Sequence, residues 1–328
     1  MYVGKTFKFA VLWHFAHKNL LRTLAVSTAA CSLYKVWGVT EIAIPFLPVA
    51  TIGTAVAFYI GFKNNQAYDR LWEARRLWGG ITNTSRSLGA MVMAFVPDLQ
   101  ARDELFYRHL AYVNILRLQL RRTIPWATSR ENLHQSVVSE AAELGNYELA
   151  IKQLFIDYGK MDIYDRIKDR SSIASGALYA QIDTLTELKR AKTIDDFEHS
   201  DLVRKITELI DLQGGCERIK YTPLFRQYSI FSRIFVDLFI FLIPFALLTE
   251  MSRLGSWQTW LTVPFSLLIS WVFFTMEQIG EFSENPFDSA LHDTPMSTIC
   301  RNIEIDLLEM LGRENLPPRL HPHNNVLL

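Results

Sequence analysis

Residues 42–62 read IAIPFLPVATIGTAVAFYIGF, a run without a single charge, and residues 63–80 follow directly as KNNQAYDRLWEARRLWGG. At about 1.5 Å per helical residue the uncharged run reaches about 31 Å, the hydrocarbon thickness of a bilayer. It is long enough to span, and it passes without a break into a charged stretch of helical character. Composition agrees with a membrane protein that carries a large wet part: 49% of residues are hydrophobic, 12% aromatic and still 21% charged.

Working outward, three further stretches read as spans. The first covers 24–39 and carries Lys35 near its end, where a long side chain can snorkel to the headgroups. The third covers 234–248 with Asp237 near its start, and the fourth covers 257–276 with Pro264 inside, a proline whose freed carbonyl neighbouring helices would have to satisfy. Spans three and four lie close enough to form a helical hairpin. Basic residues set the orientation: Lys5, Lys8, Lys18 and Arg22 precede span one, Lys63, Arg70, Arg75 and Arg76 follow span two, and Arg226 and Arg233 precede span three. Lysine and arginine are retained on the cytoplasmic side, so both termini are expected there.

The first residues lack the pattern of a secretory leader. Phe7, Phe9, Leu12, Trp13 and Phe15 alternate with Lys5, Lys8, His14, His17 and Lys18, as in an amphipathic helix lying in the inner interface. His14 and His17 would share a helix face; interfacial packing is the simpler reading than a metal site. The stretch 64–225 is expected to be a helical bundle. Phe106, Leu110, Val113, Leu116 and Leu120 keep three-to-four spacing, as do Leu202, Ile206, Leu209, Gln213 and Cys216, and no alternating strand pattern stands out. Pro97, Pro125 and Gly145-Asn146 mark breaks between its helices. The expected division is therefore an interfacial helix with spans one and two (1–63), a cytoplasmic helical region (64–225), spans three and four (226–276) and a cytoplasmic C-terminal segment (277–328).

Several functions are set aside by what is missing. With 34 basic and 34 acidic residues there is no basic surplus for a nucleic-acid partner. Cys31, Cys216 and Cys300 are odd in number and far apart, which fits free thiols and offers no zinc spacing. No GxGxxG, Walker A, HExxH or GxSxG stretch occurs, so an enzyme is not expected, nor any cofactor. The acids Asp195, Asp196, Glu198 and Asp201 are read as the start of a helix, where the dipole favours them, rather than as paired catalytic carboxylates. His321-Pro322-His323 reads as a disordered tail.

Three blocks carry a resemblance. They are GFKNNQAYDR at 61–70 followed by Glu73-Ala74-Arg75 and Leu77-Trp78-Gly79, then QGGCERI at 213–219 with Thr222-Pro223, and ENPF at 284–287 after the last span. In these blocks, their order and the four-span layout, the chain resembles the bestrophin ion channels, as a bacterial homologue. The resemblance implies an all-α integral membrane protein of the cell's inner membrane, a homopentamer with one central pore lined by span two and passing small monovalent ions. Carrying the family's neck pattern onto this chain, in steps of four back from the phenylalanine before the basic residue, gives Thr54, Phe58 and Phe62. In a pentamer Phe58 and Phe62 would each form an apolar ring, which blocks ions mainly by excluding water. Thr54 departs from the larger aliphatic residue expected there, so that end of the neck would be wider. The competing reading is that both phenylalanines face lipid or a neighbouring helix. A second constriction is expected in the cytoplasmic part, with Ile194 and Phe197 as candidates.

Animal members bind calcium through a dense acidic run after the ENPF block. Here that place reads Phe287-Asp288-Ser289-Ala290-Leu291-His292-Asp293, and two separated aspartates cannot supply the six to eight oxygens calcium takes, so a calcium-independent channel is expected. For selectivity, the positive edges of two aromatic rings favour anions such as chloride. Glu41, Glu277, Glu281 and Glu284 would instead favour cations such as sodium. The alternative of another class is a membrane-anchored scaffold or signalling protein that conducts nothing; a transporter is less suited, since no paired repeat of spans is visible.

Overall fold

The computed structural model describes residues 1–4, 9–122, 147–158, 161–288, 292–323 and 325–328, with side chains from Ala16 onward in the first helix. The breaks read at Pro125 and at Gly145-Asn146, the side chain of His14, and Ser289 to Leu291 lie outside the described residues. Ten helices are described: α1 (Phe9–Lys35), α2 (Phe46–Phe95), α3 (Leu99–Arg121), α4 (Tyr147–Asp157), α5 (Met161–Ile167), α6 (Ile173–Arg190), α7 (Asp196–Tyr221), α8 (Arg226–Leu254), α9 (Thr262–Ser283) and α10 (Met296–Met310). No strand is present among the described residues, only isolated bridges from Val326 to Tyr2 and to His323. The chain divides into two units, one of residues 4–70 and 223–284, the other of residues 1–3, 71–222 and 285–328, and α2 runs through both.

The first unit is the apolar one. Among the described residues three segments, Thr40–Phe95, Arg226–Leu254 and Gln258–Ser283, are long and apolar enough to cross a bilayer. The protein is an all-α membrane protein, with α2, α8 and α9 as its long apolar helices. Pro48 stands in the first turn of α2, where backbone N–H groups have no intrahelical partner anyway. Pro264 is likewise the third residue of α9, so it frees no carbonyl, contrary to expectation; the interior proline is Pro244, buried in α8. The stretch read as an interfacial helix and the stretch read as span one are a single helix, α1, which ends at Lys35 rather than Val39 because Gly38 takes φ +69°. α1 packs on α8 and α9, and Cys31 Sγ lies 3.6 Å from the carbonyl of Thr259. Val49, Val56 and Ile60 of α2 form one core with Val236, Phe239 and Ile243 of α8.

The second unit is a helical bundle around α3, which is buried on nearly every side. Both apolar rows read from the sequence, Phe106 to Leu120 and Leu202 to Cys216, are buried in its core. Asp98 caps α3 by accepting from the N–H groups of Gln100 (3.2 Å) and Ala101 (3.3 Å). Asp195 and Glu198 form a reciprocal capping box at the start of α7. The second half of α2 meets α7 through two leucines laid on glycines: a Cβ at Gly80 would fall 2.8 Å from Leu212, and one at Gly215 would fall 2.8 Å from Leu77. Leu77 and Gly215 belong to the sequence blocks 77–79 and 213–219, so close helix approach is one physical use of those blocks. The C-terminal stretch is not a loose tail: His323 and Val326 exchange two backbone hydrogen bonds (3.0 and 2.9 Å), and Leu327 N–H donates to Met1 O (2.8 Å).

Candidate functional site

In the apolar unit, α2 buries Val49, Gly53, Val56, Ile60, Lys63 and Ala67, a 4-3-4-3-4 spacing that keeps one face against its neighbours. Gly53 is required there, since a Cβ would fall 2.5 Å from the ring of Phe239. The other face carries Thr54, Phe58 and Phe62, all exposed, with Phe58 at 66% and Phe62 at 67%. Neither phenylalanine belongs to the core of the chain. Together they line an open groove of about 940 Å³ with Ala50, Phe239 and Phe273. Thr54 donates its hydroxyl to Ala50 O at 3.0 Å, so the polar proton is turned back onto the helix.

Of the two candidates for a second constriction, Ile194 is 3% exposed and packs in the core of the second unit, while Phe197 in the first turn of α7 is 83% exposed. A core side chain cannot also stand in an open passage. Phe197 is the one of the pair whose ring is free of that core.

Sequence reasoning missed a polar cluster beside the two rings. Lys63, 1% exposed, forms an ion pair with Glu277 of α9, which is itself buried. Ser232 of α8 donates to the second oxygen of Glu277 at 2.5 Å. Asn64 Nδ2 donates to Met276 O at 2.8 Å. Glu277 is therefore paired with a lysine, and Glu284 accepts a hydrogen bond from Ser229 at 2.9 Å. The only available signal was a lysine and a glutamate each placed at an otherwise apolar helical step.

In the second unit, Cys216 and Cys300 are buried free thiols, and burial pushes both up to about 12. They are unreactive at neutral pH. Among the described residues no three His, Cys, Asp or Glu side chains gather as metal ligands, and Asp288 is paired with Lys220 at 2.8 Å.

The fold defines a multi-pass, all-α membrane protein. The profile of the family described as Bacterial/Fungal Bestrophin protein matches residues 5–309, and the chain belongs to that family. Among curated relatives it is 29% identical over 281 residues to the "voltage-dependent anion channel-forming protein YneE" of Escherichia coli (strain K12), covering 86% of this chain and 82% of the relative. It is 27% identical over 310 residues to the protein of the same description from Salmonella typhi, covering 94% and 91%. Among solved structures, a bacterial bestrophin homologue from Klebsiella pneumoniae superposes with a TM-score of 0.75 at 26% identity, covering 90% of this chain and 98% of that one. These similarities support a channel function and a multi-pass place in the inner membrane; the protein is not an enzyme.

Proposed function

We propose that the protein is a homopentameric channel for small monovalent anions, with chloride the natural candidate, whose pore is lined by the first half of α2. The observation that carries this reading is the placement of Phe58 and Phe62. Large apolar side chains four residues apart lie on one face of a helix whose opposite face is fully packed. Five copies around an axis would close into two apolar rings, and a narrow apolar ring gates by dewetting. Thr54, smaller and polar, makes the third step wider and wetter. Phe197 is the constriction of the cytoplasmic part. α1 is the first span, both termini are cytoplasmic, and conduction needs no calcium, because Asp288 is paired with Lys220 and the sequence from Phe287 to Asp293 offers only two aspartates.

Two aromatic rings, the pairing of Glu277 with Lys63 and the anion-channel description of the relatives together favour anions over cations. The test is the mass of the detergent-solubilised oligomer together with passive chloride and sodium flux in liposomes. Five subunits with chloride flux are expected. A stable monomer that passes nothing would refute the channel and leave a membrane-anchored scaffold.

A further inference from the structure

We infer that the buried Lys63–Glu277 pair is a rotational anchor that holds the Phe58 and Phe62 face of α2 toward the pore axis, which makes Lys63, Glu277 and Asn64 positioning residues for the gate. The inference rests on the pore reading of α2. Successive residues of a helix point about 100° apart, so the direction of Lys63 determines that of Phe62. Lys63 is 1% exposed and runs into the interior to Glu277, whose second oxygen is held by Ser232 at 2.5 Å. The next residue, Asn64, docks on the same turn of α9 through its 2.8 Å bond to Met276 O. Gly280 makes the room, since a Cβ there would collide with Asn64 Oδ1 and fall 3.2 Å from Lys63 Cε.

One contact between helices sets a distance; two contacts from consecutive residues also set a rotation. Toward the other end of the span the directional bonds to α8 both come from one residue ahead of α2, Ile44, whose N–H donates to Phe245 O (3.3 Å) and whose carbonyl accepts from Thr249 (2.9 Å). There α2 meets α8 through Gly53, Val56 and Ile60 against Val236, Phe239 and Ile243, an apolar surface without a directional bond. Apolar surfaces slide and turn at small cost, whereas a buried ion pair leaves two unpaired charges when its partners part. Such pairs are poor sources of stability compared with well-packed apolar residues, and fixing a register is their best attested use. The position of this one, directly after Phe62, puts that use where a turn of the helix would move an aromatic ring off the axis.

The test compares two single substitutions, Phe62→Cys on the proposed axis and Gly61→Cys, where a Cβ meets nothing within 4 Å. Each new thiol is reacted with a charged, water-soluble methanethiosulfonate in liposomes. The three native cysteines are buried and give little background. With the pair intact, the thiol at position 62 is expected to react faster than the one at position 61. When the double change Lys63→Met/Glu277→Met is added, removing both charges together, the ratio of the two rates should fall about tenfold, the population ratio that a charge-assisted hydrogen bond ordinarily sets. Gly280→Ala, which displaces Asn64 and crowds Lys63 while keeping both charges, should move the ratio in the same direction and serves if the double variant does not assemble. A reactive thiol at position 62 whose rate relative to position 61 stays unchanged in these backgrounds overturns the anchor and leaves the neck standing. A thiol at position 62 that never reacts overturns the neck reading itself.

Discussion

Replacing Phe62 or Phe58 by alanine separates a gating ring from a packed core residue. Phe62 is 67% and Phe58 66% exposed in the subunit, so only about a third of either side chain is covered by its own chain. Truncating a fully buried phenylalanine costs about 3–5 kcal/mol, and a third of that is about 1–2 kcal/mol. The subunit should therefore keep its fold. On the axis the same change removes most of five aromatic side chains from one ring, widens the passage and lowers the barrier to a continuous water column. Chloride flux in liposomes should rise for both variants while the melting temperature of the solubilised oligomer falls only slightly. Phe239→Ala is the control: Phe239 is 4% exposed and lies against Gly53, so its loss should cost the full about 3–5 kcal/mol without any gain in flux. Should Phe58→Ala and Phe62→Ala instead melt as low as Phe239→Ala with no rise in flux, the two rings would be packing residues and the gate would have to lie elsewhere.

Gly53→Ala brings a Cβ to 2.5 Å from the Phe239 ring, and overpacking of that kind costs about 1–3 kcal/mol, seen as a lower melting temperature with assembly retained. Burial lowers the His109 imidazole to about 4, against about 6.5 in an unfolded chain. Between those values the unfolded chain binds a proton that the fold does not. Stability should therefore be full above about pH 6.5 and fall by on the order of 3 kcal/mol as pH drops through 4, and His109→Gln should flatten this slope in melts taken from pH 7 to pH 4. Chloride flux should be the same with and without a calcium chelator; a many-fold loss on chelation, restored by adding calcium back, would refute the calcium-independent reading of the segment after Pro286.

The sequence alone determined that 42–62 crosses a membrane, because an uncharged run of bilayer length needs no tertiary partner to explain it. It also determined the helical character of the wet part, since the rows Phe106 to Leu120 and Leu202 to Cys216 repeat at the helical period. What it left open was which side of α2 is covered. Gly53, Val56 and Ile60 are as apolar as Ala57, Phe58 and Phe62, and in a span neither hydropathy nor period tells a packed face from an open one; the covering ring of Phe239 comes from a helix far along the chain. Proline position was equally undecided: Pro264 and Pro244 both lie in apolar runs, and only the observed helix starts put one in a first turn and the other in an interior. Ile194 and Phe197, three residues apart, part company at the capping box of α7, which turns one into the core and leaves the other exposed. Lys63 and Glu277 stand 214 residues apart and look from the sequence like two ordinary charges at the ends of spans. Their pairing belongs to the tertiary structure alone, because a charge is buried only where a partner from another helix arrives to meet it.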